Sequence, residues 1–445
     1  MSGILLILIL IIAAPLWLPA VRWVVPDRYI MAYAPETLRP IIFRINIDEQ
    51  VPTPEPLAEV GEEQALSELA GLPPTPTPDP GIVAIPAEGG GGGGGGSYVQ
   101  PTAVPVAATP TATPVAGPAP VSSAVDRENQ ADLSQADALL KGFTFIQQTG
   151  VNNCGPASFA TMISYWGVEL TLDQTRPALK PNPDDPNVRP DELQHYAESF
   201  GYNMIIRENG DFDLIKRFIQ AGYPVMIETG YDPEPDTIGW TSHFITIVGY
   251  SESQGGLIAM DTYRRPNWFY PYEEVNTYWR QFNRRYLIAY RPDQEAAVAS
   301  LMGEDMDATT NFQNAMRTAQ LELSLEREDP YGWFNLGASL TLLGRYEEAT
   351  LAFDEARRLG LPWRFLWYQF EPFQAYFQVG RYDDVMALAD AVTQKIATEE
   401  PYYYRGLAYA AQGDESKARG QFQQALRLNP NFTAAQEALD ALGES

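Results

Sequence analysis

Gln148-Thr-Gly-Val-Asn-Asn-Cys-Gly-Pro-Ala-Ser-Phe-Ala-Thr-Met-Ile-Ser-Tyr-Trp-Gly167 is the stretch on which the reading of the chain turns. Phe159, Met162, Ile163 and Trp166 recur at i, i+3, i+4 and i+7, which predicts one apolar face of a helix. Pro156 suits its first turn, where a missing N–H costs nothing, and Gly167 suits its end. Cys154 therefore falls at the helix N-terminus, where the positive end of the dipole lowers a thiol pKa. It is the single cysteine of the chain, so no intrachain disulfide exists. A lone cysteine is commonly a small buried hydrophobe, but one that follows Asn152-Asn153 and opens a helix is not an obvious core residue.

Working outward, helices are predicted over 190–200 and 211–221, and β-like runs over 223–228, 244–248, 257–260 and 286–290. Helices first and strands second is an α+β layout. Gln148, Cys154, His243 and Asp261 follow one another in an order that suits thiol acyl chemistry. An imidazole at His243 can pair with the thiolate and then protonate a leaving amine, while Asp261 on its other nitrogen fixes the tautomer. Gln148 is the candidate oxyanion donor beside the Cys154 backbone N–H, with Gln147 as fallback. Each has a plainer reading: His243 as a satisfied core histidine, Asp261 as a turn residue with Asp232 or Asp236 in its place. His195 reads as a helix surface residue. The charges Glu228, Asp232, Glu234 and Asp236 read as a solvated loop, or as an acidic rim for basic peptides. Tyr263, Trp268, Phe269, Tyr270 and Tyr272 read as packing rather than a binding shelf.

These residues resemble the bacteriocin-processing cysteine peptidases, a papain-like family that cuts leader peptides after a double glycine, and more closely its stand-alone relatives. The resemblance spans about 143–292. It rests on the six-residue spacing from Gln148 to Cys154, Cys154-Gly-Pro-Ala before an apolar helix ending Tyr165-Trp166-Gly167, Gly222-Tyr-Pro-Val before a strand, and His243-Phe-Ile-Thr-Ile-Val-Gly-Tyr250. It implies a papain-like fold with Cys154 on a helical lobe, His243 and Asp261 on a sheet lobe, and peptide hydrolysis. Asn153 stands where the family often has aspartate, and no transporter domain or ATPase follows, so leader processing coupled to export is not expected.

After Pro292 the pattern is helical. Trp333, Leu336, Gly337, Gly344, Tyr346, Ala349, Phe353 and Ala356 form one set of landmarks, and Tyr402, Gly406, Tyr409, Gly413, Ala418, Phe422, Ala425 and Pro430 another. This resembles the tetratricopeptide repeat, with a degenerate copy around Gly380 and a helical cap over about 307–327. Such repeats imply a protein partner.

Residues 4–20 are uncharged and long enough to approach a membrane span, and they read as a retained anchor rather than a cleaved signal. Pro, Thr and Gly dominate 46–130, including an unbroken run from Gly89 to Gly96, and predict a disordered tether holding the next domain on the order of 50 Å away. The domains expected are an anchor with its juxtamembrane segment (1–45), a linker (46–130), a peptidase (131–293) and a repeat solenoid (294–445). The expected place is a bacterial cell membrane, single-pass, with both folded domains outside the cytoplasm. With 57 acidic and 30 basic residues the formal charge is −27, which repels phosphate backbones, so no nucleic-acid partner is expected. Two histidines and one cysteine make no closed metal set, and no phosphate loop is present, so no cofactor is expected. The same four residues also suit an amidase or a transglutaminase-like transfer. From a different class, the chain reads as a non-catalytic membrane-tethered adaptor that works through its repeats.

Overall fold

The computed structural model describes residues 50–54, 62–71, 131–150, 152–231 and 239–444. The expected anchor over 1–45 lies outside them, as do Asp232, Glu234 and Asp236. Among the described residues no helix is long and apolar enough to cross a membrane.

In chain order, helix α1 (Glu62–Leu69) precedes strand β1 (Ala138–Leu139), helices α2 (Cys154–Ser164), α3 (Leu172–Leu179) and α4 (Pro190–Glu198), strand β2 (Asn203–Arg207) and helix α5 (Phe212–Gln220). Strands β3 (Val225–Tyr231), β4 (Thr241–Ser251), β5 (Gly256–Met260) and β6 (Trp268–Pro271), helix α6 (Tyr272–Trp279) and strand β7 (Tyr286–Tyr290) complete the sheet region. The sheet is antiparallel, ordered β2-β7-β3-β4-β5-β6, with β1 beside the far end of β4. Both of its faces are covered. Neighbouring residues on each central strand enter opposite cores: Met226, Phe244 and Leu287 pack against α2 and α4, while Ile227, Ile245 and Ile288 pack against α5 and α6. That two-residue alternation is what a pleated strand imposes. Phe159, Met162 and Ile163 of α2 are fully buried on the first face. The helix ends at Ser164, so Trp166 falls in the turn after it, before Gly167 with φ +88°.

The rest is helical: α7 (Glu295–Met302), α8 (Ala308–Leu325), α9 (Pro330–Leu342), α10 (Tyr346–Leu359), α11 (Glu371–Gln378), α12 (Tyr382–Thr393), α13 (Glu399–Ala411), α14 (Glu415–Leu428) and α15 (Thr433–Glu444). Gly337 and Gly406 mark where paired helices approach closely. A methyl group at either would overlap the ring of Phe353 or Phe422.

Three boundaries differ from the sequence expectation. Val298 and Met302 of α7 are buried in the sheet core with α5, so the sheet-containing unit runs past the expected boundary at 293. Residues 50–54 and 62–71, expected in the disordered linker, lie on the repeats: Val51 N–H donates to Leu361 O (3.0 Å), Arg357 to Pro52 O (2.8 Å) and Gln320 to Leu69 O (2.8 Å). Leu66 and Leu69, spaced i, i+3, supply the apolar contact. Their few apolar residues are masked in sequence by the Pro- and Glu-rich surroundings. Third, the two folded regions share a core. Trp240 and Phe282 belong to the hydrophobic cluster of the repeats, with Trp240 4.9 Å from Phe365 between ring centroids.

Charges cross the same junction. Arg189 pairs with Glu400 (3.1 Å), and Asn429 donates to Glu192 (3.0 Å) and Glu399 (2.7 Å). Burial, with Glu400 adding to it, lifts Asp185 and Glu192 to about 7 against the pull of Lys180 and Arg189. Glu399 is raised well above its usual value by burial and the neighbouring carboxylates. The folded state thus holds protons that the unfolded chain has released by about pH 5. Stability from these groups is present in mild acid and is lost as pH rises through about 7. The melting temperature is expected to fall between about pH 5.5 and pH 8; a flat or rising profile in a thermal scan would contradict this account of the junction.

Candidate active site

Cys154 opens α2, whose following residues Gly155, Pro156 and Ala157 are all buried, and it is itself only 6 % exposed. His243 is the third residue of β4, and Asp261 directly follows β5, the strand beside β4. Helix start and strand start thus meet across the α2–β4 contact. His243 Nε2 lies 2.8 Å from Asp261 Oδ1, and the ring is near enough to the Cys154 thiol for each to shift the other's pKa. The structure brings these three residues together.

Their electrostatics run in complementary directions. Burial pushes the Cys154 thiol up, but the hydrogen bond and positive charge of His243, the Phe244 N–H and the charge of Lys180 outweigh it, leaving the thiol below its ordinary value. Burial pulls His243 down, and Asp261 together with the Cys154 thiolate overcomes it, so the imidazole is pushed up to about 10. Burial raises Asp261, and His243, Tyr270 and the Arg264 N–H more than offset it. All three shifts run toward thiolate beside imidazolium beside carboxylate.

Asp261 is fully buried and richly solvated by the protein. Its Oδ1 also accepts from the N–H groups of Tyr263 (2.9 Å) and Arg264 (3.1 Å), and Oδ2 accepts from the Tyr270 hydroxyl. Tyr270 comes from the aromatic group read as packing, and here it has a polar task as well. Tyr231 lies on the His243 ring at 5.2 Å between centroids. A cavity of about 360 Å³ opens beside His243, with Arg264, Glu274 and Tyr278 among its walls.

Gln148 sits differently from a group already bonded to the reacting atoms. Its Oε1 accepts from the Thr262 hydroxyl (2.8 Å) and its Nε2 donates to Gly150 O (2.9 Å), which turns the amide nitrogen toward the loop leading to Cys154. Gln147 gives its amide to the carbonyls of Thr262 (2.6 Å) and Tyr263 (3.1 Å). Lys180 donates to Asn152 O and Asn152 to Asp185 O (3.1 Å), bracing the same loop from α3. Thr262, Tyr270 and Lys180 have no sequence signal beyond the first residue's adjacency to Asp261. His195 is exposed on α4.

Asp232, Glu234 and Asp236 lie outside the described residues, and Glu228 departs from the solvated-loop reading. It is fully buried on β3, bonded to Arg285 (3.1 Å) and to the Ser242 hydroxyl (3.1 Å). Its partner stands 57 residues away, beyond any local charge pattern.

Residues 124–287 match the Peptidase_C39 like family, and residues 399–432 match the tetratricopeptide repeat. The chain therefore carries a C39-like peptidase domain with a tetratricopeptide repeat after it. Similar solved structures include a C39-like peptidase from Bacillus anthracis (18 % identity, TM-score 0.29, 35 % of this chain and 97 % of that one). Another is a double-glycine motif protease from an AMS/PCAT transporter in complex with its leader peptide (15 %, 0.24, 37 % and 98 %). No curated protein matches the chain.

Proposed function

We propose that the C39-like domain is an active cysteine peptidase with Cys154 as nucleophile, His243 as acid and base, and Asp261 as the group that orients and charges the imidazole. The observation that carries this reading is the buried His243–Asp261 pair set beside the Cys154 thiol, with the thiol lowered and the imidazole raised. The thiolate attacks the carbonyl carbon of the scissile bond, and the negative charge moves to the carbonyl oxygen. The Cys154 N–H, which the first turn of the helix leaves without an intrahelical partner, and the second amide hydrogen of Gln148 are the proposed donors to that oxygen. His243 then protonates the departing amine, leaving a thioester on Cys154. Water, deprotonated by the same imidazole, releases the acid and restores the thiolate.

Because Cys154 is the single cysteine, covalent labelling reports on this site alone. The full-length chain is expected to be labelled by a peptidyl electrophile at neutral pH and to cleave members of a mixed peptide pool, with both activities abolished in Cys154→Ala. Slow labelling that rises only where an ordinary thiol ionises, about pH 8.5, together with an uncut pool, would leave the non-catalytic adaptor as the better reading.

A further inference from the structure

We infer that the repeat region is part of the catalytic unit, and that Tyr368 is a positioning residue for His243; this rests on the peptidase reading above. Tyr368 lies between α10 and α11, just after the short 3-10 turn Phe365–Trp367. Its ring is 5 % exposed and packs 5.9 Å from that of Trp240, between centroids. Its hydroxyl lies 2.7 Å from Thr241 Oγ1 and beside the backbone N–H of Ser242. These are the two residues that precede His243 on β4.

The pairing of β4 explains why that contact matters. Thr241 to Ile247 pair with β3 on one side, whereas pairing with β5 on the other begins only at Thr246. The start of β4 therefore has an open edge, and in an antiparallel strand alternate residues turn their N–H and C=O groups to the same edge. On this edge the Phe244 carbonyl accepts from Ser158 Oγ (2.9 Å), and the Phe244 and Ser242 N–H groups are turned toward the Cys154 thiol and the Tyr368 hydroxyl, whose pKa values they lower. Two residues of strand separate the two N–H groups, so the phenol oxygen and the sulfur stand about 7 Å apart along it. Each takes up a donor that the sheet leaves unpaired. An unpaired buried N–H at Ser242 would loosen the strand one residue before the imidazole.

Burial, with the Cys154 thiolate also acting on it, pushes the Tyr368 phenol up to about 12, so it remains a neutral hydrogen-bonding group wherever the thiolate forms. Its role is to hold the β4 edge. The imidazolium that lowers the thiol pKa is then held at its working distance by a residue of the repeats.

Tyr368→Phe in the full-length chain keeps the ring against Trp240 and removes the acceptor. Alkylation of Cys154 by iodoacetamide, followed by intact mass across pH, is expected to shift its midpoint upward by about one pH unit, which is about a tenfold fall in rate at neutral pH. A merely structural contact would change the melting temperature and leave that midpoint in place. A midpoint equal to wild type in Tyr368→Phe, while His243→Ala moves it, would overturn this inference and leave the peptidase reading intact. A midpoint that His243→Ala does not move would overturn the peptidase reading itself. Should Tyr368→Phe fail to fold, Thr241→Val takes away the side chain that fixes the Tyr368 hydroxyl against the start of β4, with an upward shift again expected and no shift counting against the proposal.

Discussion

His243→Ala is expected to slow peptide hydrolysis by about a thousandfold, the scale of losing a positioned acid and base, and to move the Cys154 alkylation midpoint above that of an ordinary thiol. The direction follows from the balance at the sulfur. Burial alone raises the thiol, and what most opposes it is the hydrogen-bonding and charge influence of His243. Without the ring, the Phe244 N–H and Lys180 remain against the full desolvation of a buried group. The wild-type rate is expected to rise as the thiol ionises below its ordinary value, and to be lost as pH climbs through about 10, where the imidazolium gives up its proton. Asp261→Asn keeps the shape but puts an amide N–H₂ among groups that all donate to the carboxylate, so its imidazole is expected to titrate lower and the alkaline limb to move toward neutrality. Hydrolysis and alkylation profiles of the two variants, taken across the same pH range, separate the acid–base role from simple loss of fold. An alkylation midpoint unchanged in His243→Ala would sink the triad.

Local pattern carried the parts of the site that are local. Cys154 at a helix start was readable because Pro156 and the apolar spacing of Phe159, Met162 and Ile163 are short-range features, and the β4 run after His243 announced itself by its apolar residues. The turn glycines of the repeats were readable for the same reason: Gly344, Gly380 and Gly413 all adopt positive φ, which side chains disfavour. What could not be read depends on pairings between distant positions. β2 joins β7 across nearly eighty residues of chain, α7 enters the sheet core although its own composition only says helix, and Tyr368 reaches β4 from the helical repeats. Glu228 shows the cost of judging a charge by its neighbours in sequence. Its segment looks solvated because three further acidic residues follow it, yet the pleat of β3 turns Glu228 inward, where an arginine from the far end of the fold is waiting.

That arginine carries the second large prediction. Arg285 is nearly buried and binds three carboxylates from three places: Glu208 after β2 (2.8 Å), Glu228 on β3 (3.1 Å) and Glu371 at the start of α11 in the repeats (3.1 Å). Burial lifts Glu208 and Glu228 to about 7 even with Arg285 holding them down. Arg285→Met would leave them with burial and mutual repulsion, offset only by the Ser242 hydroxyl on Glu228, a loss of about 3–5 kcal/mol for a broken buried ion pair and a melting temperature lower by on the order of 10 °C at pH 8. Both carboxyls can escape the penalty by taking up protons, so the deficit is expected to shrink as pH falls toward about 5. Adding Glu208→Gln and Glu228→Gln to Arg285→Met removes the stranded charge while keeping volume, and is expected to recover much of the loss at pH 8, since exchanging a whole buried ion pair for neutral groups costs far less than removing one partner. A triple variant as unstable as Arg285→Met alone would show that the guanidinium acts by filling space between sheet and repeats, and that the junction is held by packing around Trp240 and Phe365 rather than by its charges.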